Sequence, residues 1–240
     1  RTVQTNEVGR TTMLVAGLGH YGRHQHVDTI HLREVGSSSG LNMLFDRFHF
    51  ANAGVSFGDP ASKVRFDADA WGEPRIDISG CPTVVSRAGC DIAPLDARDP
   101  ERRLTLLSFV WPDQRQRFER LHAALDIANT DPVYQSPTKA DAAEWIDDQL
   151  GNLDDEPTVV FHSIVWQYFS QDTKDHFRAA LKRHGERRSA PLAWLRREPA
   201  GDVADLRITT WRDGSIIEND HVLATSSYHG IGTRRQDQRA

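Results

Sequence analysis

An acidic residue followed by very small residues is the first feature of the chain that suggests chemistry. Glu34 stands two residues before Gly36, and Ser38 and Gly40 follow at the same spacing. Small side chains let a ligand approach the backbone closely, and the amide groups at the start of a helix donate hydrogen bonds to its polar atoms. The stretch therefore predicts a loop that binds a ligand through its backbone.

Two further acids follow short apolar runs that predict strands. Asp91 comes after one such run, and the pair Asp141-Ala142 comes after a later one. Ligands of open α/β sheets lie beyond the carboxyl ends of the strands, so acids in these positions are candidates for one shared site. We therefore expect Glu34, Asp91 and Asp141 to converge on a single hollow.

Four other side chains near the expected carboxyl edge can act on a substrate. His162, Trp166 and Tyr168 lie at or beyond the end of an apolar run, and Asp113 begins a predicted helix. A histidine can remove a proton from a substrate, and aromatic rings can line a pocket or face a cation. The alternative is a histidine hydrogen-bonded in the core, aromatic side chains that pack a helix on the sheet, and a plain helix start.

A second glycine-rich stretch admits a different function. Gly17, Gly19 and Gly22 have the spacing of a dinucleotide fingerprint, and Glu34 stands near the place of its ribose-binding acid. The polar residues that follow lack the apolar face of a crossover helix. The alternative is a helix over 6–21 that contains glycines and is capped by its first residue, an asparagine.

Histidines near the start of the chain also suggest a metal site. His20 and His24 share a face of the predicted helix at a spacing that suits zinc, and His26 and His31 follow. No nearby acid or cysteine completes a ligand set at metal-binding spacing. The sequence therefore predicts no metal.

Alternating strands and helices must position these residues. Apart from 6–21, helices are predicted over 41–48 and from 112, 140 and 171 onward, and strands over 29–35, 83–86, 104–110, 132–136, 157–165, 190–196, 205–211 and 221–231. Residues 50–80 are dense in glycine, proline and aspartate, which predicts an insertion of hairpins or loops. This order is typical of a parallel sheet with helices on both faces and an antiparallel edge.

Composition excludes several classes of protein. The 240 residues are 26% charged and 38% apolar, with a net charge of −5, and the basic clusters are too short for a nucleic-acid footprint. The longest apolar run is too short to span a bilayer. Two cysteines and the lack of a signal peptide predict a cytoplasmic protein. Because residue 1 is arginine, we expect the chain to begin inside a longer protein.

The loop 34–40 resembles the first motif of class I S-adenosylmethionine-dependent methyltransferases, in which glycines alternate after an acid. Ser38 stands where that family has glycine. The resemblance implies that the loop holds the methionine part of the cofactor, that Asp91 binds the ribose hydroxyls, and that Asp141-Ala142 contacts the adenine edge. The expected cofactor residues are Glu34, Gly36, Ser38, Gly40, Asn42, Asp91, Ile92, Asp141 and Ala142.

Longer strings resemble a narrower family. "QTNEVGR", "EVGSSSGLN", "VSFGDPAS" and "TVVFHSIVWQYF" are similar to an uncharacterised bacterial family, domain of unknown function 2332. The family implies a methyltransferase-like core behind a helical N-terminal region, and it implies no substrate. We therefore expect residues 1–28 to be a helical segment and 29–240 to be the methyltransferase-like domain.

The resemblances together imply a three-layer, Rossmann-like α/β fold of methyltransferase type, with a mostly parallel sheet, a C-terminal antiparallel hairpin and the insertion near 50–80. The expected activity is methylation of a small molecule by S-adenosylmethionine, with His162, Trp166, Tyr168 and Asp113 at the acceptor. One alternative is a non-catalytic binding protein on the same fold. The other is a nicotinamide-dependent oxidoreductase that uses the glycines of 17–22.

Overall fold

A computed structural model describes residues 6–153 and 155–236. Its α-helices are α1 (Thr11–Gln25), α2 (Pro100–Ser108), α3 (Arg115–Thr130), α4 (Ala142–Gly151) and α5 (Gln171–Gly185). Its strands are β1 (Thr29–Val35), β2 (His49–Asn52), β3 (Val55–Gly58), β4 (Arg65–Phe66), β5 (Thr83–Asp91), β6 (Thr138–Lys139), β7 (Thr158–Ser163), β8 (Leu192–Ala200), β9 (Val203–Arg212), β10 (Ser215–Ser226) and β11 (Arg234–Arg235). Short 3₁₀-helices cover Val8–Arg10, Leu41–Arg47, Ala68–Ala70 and Trp166–Tyr168.

The described strands form an eight-stranded sheet in the order β11-β10-β9-β8-β7-β1-β5-β6 and a three-stranded sheet from the insertion, β3-β2-β4. In the large sheet, β6, β5, β1, β7 and β8 are parallel, whereas β9, β10 and β11 each pair antiparallel with their neighbours. The predicted α/β fold with an antiparallel C-terminal edge is confirmed. The antiparallel part exceeds a hairpin because β8 turns directly into β9 at Gly201, whose φ is +66°.

The path of the chain through the sheet creates a natural place for a ligand. From β1 the chain moves to β5 and β6 on one side, and then crosses back to β7 on the other side of β1. Open α/β sheets bind ligands where the strand order reverses in this way, beyond the carboxyl ends of the strands. In this chain that point lies beyond Val35 of β1 and Ser163 of β7.

Helices cover both faces of the parallel strands. Every residue of β7 is buried, which is the pattern of a strand enclosed on both sides. Along β1, Leu32 packs in the core under α1 and α3, whereas Val35 packs against α4 and α5. Alternate residues of a strand point to opposite faces, so this pairing also fixes which way the neighbouring side chains point.

Two predicted elements are wrong for local reasons. The apolar run 104–110 belongs mostly to α2, because the Asp99 side chain caps the helix by accepting from the amides of Glu101 and Arg102. The strand expected at 132–136 begins later, as β6. No described helix combines the length and apolar composition that crossing a membrane requires.

The glycines of the second motif lie inside α1. A Cβ at Gly17 would lie 2.6 Å from Leu195 Cδ1, and one at Gly22 would clash with the carbonyl oxygen of Gly80. These glycines therefore let the helix pack closely on its neighbours. A dinucleotide fingerprint needs a turn between strand and helix, so the dinucleotide interpretation is wrong. The glycines lie in a helix as expected, but that helix covers Thr11–Gln25 and not 6–21.

Candidate functional site at the carboxyl edge of the sheet

A cavity of about 140 Å³ opens at the carboxyl ends of β1, β5 and β6. Its walls include Gly36, Asp91, Ile92, Asp141 and Ala142. These residues come from three segments far apart in the sequence, and each is among the predicted cofactor residues. The structure thus brings this part of the predicted site together.

Asp91 joins the end of β5 to the loop after β1. Its Oδ2 accepts a hydrogen bond from the Ser38 amide at 2.9 Å, and its Oδ1 accepts one from the Ala93 amide at 2.9 Å. A carboxylate accepts up to about four hydrogen bonds. The acid therefore fixes the loop and is of a type that also accepts from hydroxyl groups.

Asp141 is the N-cap of α4. Its Oδ1 accepts from the amides of Ala143 and Glu144, at 2.8 and 3.3 Å. Aspartate is favoured at this position because it satisfies amide groups that have no partner inside the helix. Asp141-Ala142 therefore forms a rigid part of the cavity wall.

The loop after β1 is engaged by the N-terminal segment. Asn6 Oδ1 accepts from the Leu41 amide at 3.1 Å and from Ser39 Oγ at 3.0 Å, and Asn6 Nδ2 donates to the Ser37 carbonyl at 3.3 Å. Asn6 does not cap the first helix, because the Glu7 side chain accepts from the Gly9 amide instead. The backbone amide of Leu41, at the start of the predicted helix, thus donates to Asn6 and not to a ligand.

Gly36 and Ser38 both have left-handed backbone conformations, with φ of +66° and +55°. Val165 covers Gly36, since a Cβ added there would lie 2.8 Å from the Val165 Cβ. The space that a small-residue loop leaves is therefore filled by the chain itself. In this conformation Val165 leaves no room for a ligand directly beside Gly36.

Glu34 does not line the cavity, which corrects the expectation that the three acids converge. It lies on the opposite face of β1 from Val35, is 2% exposed, and accepts a hydrogen bond from Asn42 Nδ2 at 3.3 Å. Burial raises the pKa of Glu34 to about 8. Glu34 Oε2 and Asn42 Oδ1 lack a hydrogen-bond partner among the described residues.

His162 lies within an aromatic core beneath the cavity region. It is fully buried, its Nδ1 is 2.7 Å from Glu198 Oε1, and its ring stacks on Trp166 with centroids 5.3 Å apart. Its Nε2 has no partner in the described part of the chain. This geometry matches the alternative of a core histidine, because Trp166 and Phe177 pack around the ring.

The other three residues expected at the methyl acceptor lie in different places. Tyr168 is 73% exposed and lines the cavity. Trp166 covers the buried histidine and has the Arg178 guanidinium 4.9 Å from its ring centroid. Asp113 lies in an exposed turn before α3 and outside the residues that line the cavity.

The sequence of the whole chain was compared with known proteins. A family model described as an uncharacterised protein conserved in bacteria, domain of unknown function 2332 (DUF2332), matches residues 1–234. The chain belongs to this family. Comparison of the DUF2332 chain with curated proteins and with solved structures finds no match. Membership confirms the narrower resemblance and assigns no activity.

The sequence does not predict a second group of side chains in the DUF2332 chain that could hold a metal ion. His20 of α1 and Glu218 and His221 of β10 place their ligand atoms within 4.8 Å of one another. Burial acts to raise the pKa of Glu218, but hydrogen bonds from His20, Thr210 and His221 and the charge on His20 outweigh it and lower the pKa to about 2. His20 was considered for a metal site, but its partners lie 198 and 201 residues further along the chain.

Proposed function

We propose that this DUF2332 chain binds S-adenosylmethionine in the cavity at the carboxyl edge and transfers its methyl group to a small molecule. The supporting observation is the convergence of Gly36, Asp91, Ile92, Asp141 and Ala142 on one cavity. These residues belong to three short motifs, and the cavity adjoins the point where the strand order reverses.

The surface around the cavity suits the nucleoside part of the cofactor. Ile92 and Tyr168 both line it and are 72% and 73% exposed. Large exposed apolar side chains beside an acid favour a planar base, which removes apolar surface from water while its ribose reaches the carboxylate. In the proposal, Asp91 accepts from the ribose hydroxyls and Asp141-Ala142 borders the base.

Binding of the whole cofactor requires the site to open. The cavity of about 140 Å³ is smaller than the roughly 300–1,000 Å³ of most ligand pockets. Val165 follows Ile164, a β-branched residue held at a φ of +53°. β-Branched residues rarely adopt the left-handed conformation. Where they do, the surrounding structure holds them there, often at functional sites. We infer that movement of the segment 164–168 away from Gly36 admits the methionine part.

S-adenosylmethionine carries a methyl group that its sulfonium already activates. The contribution of the chain is then to orient the reactants and to exclude water. Tyr168 is an exposed aromatic residue on the wall of the cavity, in a position to face a cation. His162 is buried beneath Trp166 and does not act as a base in this conformation.

Calorimetric titration with S-adenosylmethionine and with adenosine tests the proposal. We expect Ile92→Asp to lower the affinity for both at least tenfold, because it places a charge against the base. Leu104→Asp is the matched control, since Leu104 is 68% exposed and lies outside the cavity; we expect wild-type affinity. If the wild-type chain binds neither compound, or if both variants behave alike, the proposal is wrong.

A non-catalytic binding protein is the second candidate, and a specific observation favours it. Val165 lies against Gly36, and the Leu41 amide donates to Asn6 Oδ1 at 3.1 Å, so neither is open to a methionine part. This candidate predicts that adenosine binds as tightly as S-adenosylmethionine and that no methyl group reaches any acceptor. An assay with labelled methyl donor and a pool of small-molecule acceptors separates the two candidates.

A further inference from the structure

Two histidines and a glutamate meet between α1 and β10. His20 Nε2 is 2.7 Å from Glu218 Oε1, and His221 Nδ1 is 3.4 Å from the same oxygen. Ligand atoms around a tetrahedral zinc ion are about 3.3 Å apart, given bonds of about 2.0–2.1 Å. The His221–Glu218 separation matches that value, the His20–Glu218 separation is shorter by about 0.6 Å, and all three ligand atoms lie within 4.8 Å of one another.

A distortion of β10 produces this arrangement. In a regular strand, residues three apart point to opposite faces, so Glu218 and His221 would not meet. The register shifts between them, and Asp220 has a φ of +52°. Asp220 is held there by ion pairs with Arg196 and Arg207. Bulges that re-aim a side chain are common beside functional sites.

Other contacts fix the two side chains of the cluster that are most enclosed. Glu218 Oε2 accepts from Thr210 Oγ1 at 2.9 Å, which orients the carboxylate. The His20 ring stacks on His24 at 3.9 Å, and His24 Nδ1 donates to the His20 carbonyl at 2.9 Å. Hydrogen bonds and packing of this kind orient the ligands of protein metal sites. A single His20–Glu218 ion pair would not require His221 to approach the same oxygen.

Space for a further ligand adjoins the cluster. A cavity of about 480 Å³ is lined by His20 and His221 and also by Arg23, Arg75 and Arg235. Asp77 is the acid in this lining, so positive groups predominate. Two histidines and a carboxylate leave metal coordination positions open, as in many catalytic sites.

We propose that His20, Glu218 and His221 bind a divalent transition-metal ion whose open coordination position takes a small anion, a carboxylate or phosphate group, from the adjoining cavity. This site goes beyond the proposed methyl transfer and is independent of it. Four strand spacings separate β10 from β1, about 19 Å across the sheet. Glu218 pairs with Thr210, which pairs with Ala193 near the start of β8, so the site lies toward the opposite end of the strands.

Metal titration of the chain after chelation and dialysis tests the site. We expect about one Zn²⁺ per chain by calorimetry, and a Co²⁺ absorption spectrum typical of nitrogen and oxygen ligands. His20→Ala, His221→Ala and Glu218→Gln should each lower the affinity at least tenfold. His122→Ala is the matched control, because His122 pairs with Asp126 on the exposed face of α3, and it should leave the affinity unchanged.

Circular dichroism shows whether each variant folds. His221 is 38% exposed in its side chain, so His221→Ala keeps the test valid if the variants of more enclosed residues do not fold. Stoichiometric binding that His221→Ala leaves intact, or no binding by the wild-type chain, overturns the metal site. Inorganic phosphate or acetate added to the Co²⁺ form should change its spectrum, and an unchanged spectrum overturns the open position.

Discussion

The cavity beside Gly36 and the histidine cluster on β10 differ in two respects: whether their residues match a sequence motif, and how much space for a ligand lies beside them. The residues around Gly36 match a motif, yet Val165 covers Gly36 and the hollow measures only about 140 Å³. The histidine cluster matches no motif, yet it adjoins a cavity of about 480 Å³. Motifs therefore identify where a ligand would lie, whereas packing decides whether there is room for it.

The largest effect expected from a glycine substitution comes from adding one methyl group beside Val165. At a fixed pH near neutrality, Gly36→Ala should destabilise the chain by about 3 kcal/mol, from a left-handed backbone and an overpacked contact. Gly201→Ala is the control, because Gly201 has the same φ of +66° but open space around it, and it should cost only about 1–2 kcal/mol. Urea unfolding measures both.

The double variant Gly36→Ala/Val165→Ala separates the two causes. If Val165 fills the hollow, shortening it to alanine relieves the overpacking in the double variant. Only the free-energy cost of the left-handed backbone at position 36 then remains. Strictly additive losses in the two single variants would contradict that picture.

Zinc should stabilise the chain through the histidine cluster. At a free concentration 100 times the dissociation constant, the gain in unfolding free energy is about 2.7 kcal/mol. At the same Zn²⁺ concentration, the at least tenfold lower affinity of His221→Ala should cut the gain to about 1.4 kcal/mol or less while leaving the metal-free stability close to wild type. Thermal unfolding with and without Zn²⁺ measures it, and an equal gain in the variant would exclude the cluster as its source.

Glu34 should make stability depend on pH. Because burial raises its pKa from 4.5 to about 8, the folded chain binds a proton that the unfolded chain releases. The stabilisation is complete below about pH 4.5 and is lost as the pH rises toward 8, with a slope of up to about 1.4 kcal/mol per pH unit. Glu34→Gln should flatten the profile from pH 5 to 8, whereas Glu119→Gln, on α3, should keep the wild-type slope.

The smallest expected effect is on affinity. Val165→Ala should strengthen S-adenosylmethionine binding several-fold, about 1 kcal/mol, by opening the space over Gly36. Adenosine, which does not need that space, should bind the variant and the wild type equally. An equal gain for both compounds would show that Val165 does not obstruct the methionine part.

The sequence predicted the elements that carry a continuous apolar pattern. The bounds of β1 agree to the residue, and α5 begins at residue 171 as expected, with Ser170 as its cap accepting from the Thr173 amide. The extended segment predicted at 104–110 is wrong. The prediction followed the apolar residues of this run, whereas Asp99 caps a helix that continues to Ser108. Local chemistry at a helix start thus deserved more weight than the apolar run after it.

The candidate site could be predicted only in part. Asp91 is the last residue of β5 and Asp141 lies two residues after β6, so the ends of these strands bring them to one edge. The face of β1 to which Glu34 points depends on which face Val35 packs against. The spacing of residues in the loop does not reveal this. The pairing of His20 with Glu218 joins residues 198 apart and requires a distorted strand, and neither leaves a local pattern.

A crystal structure of the chain with S-adenosylmethionine tests the central claim most directly. We expect the base between Ile92 and Tyr168, the ribose hydroxyls on Asp91, and Val165 displaced from Gly36. A cofactor bound elsewhere, or a cavity that stays closed at saturating cofactor, would contradict the account.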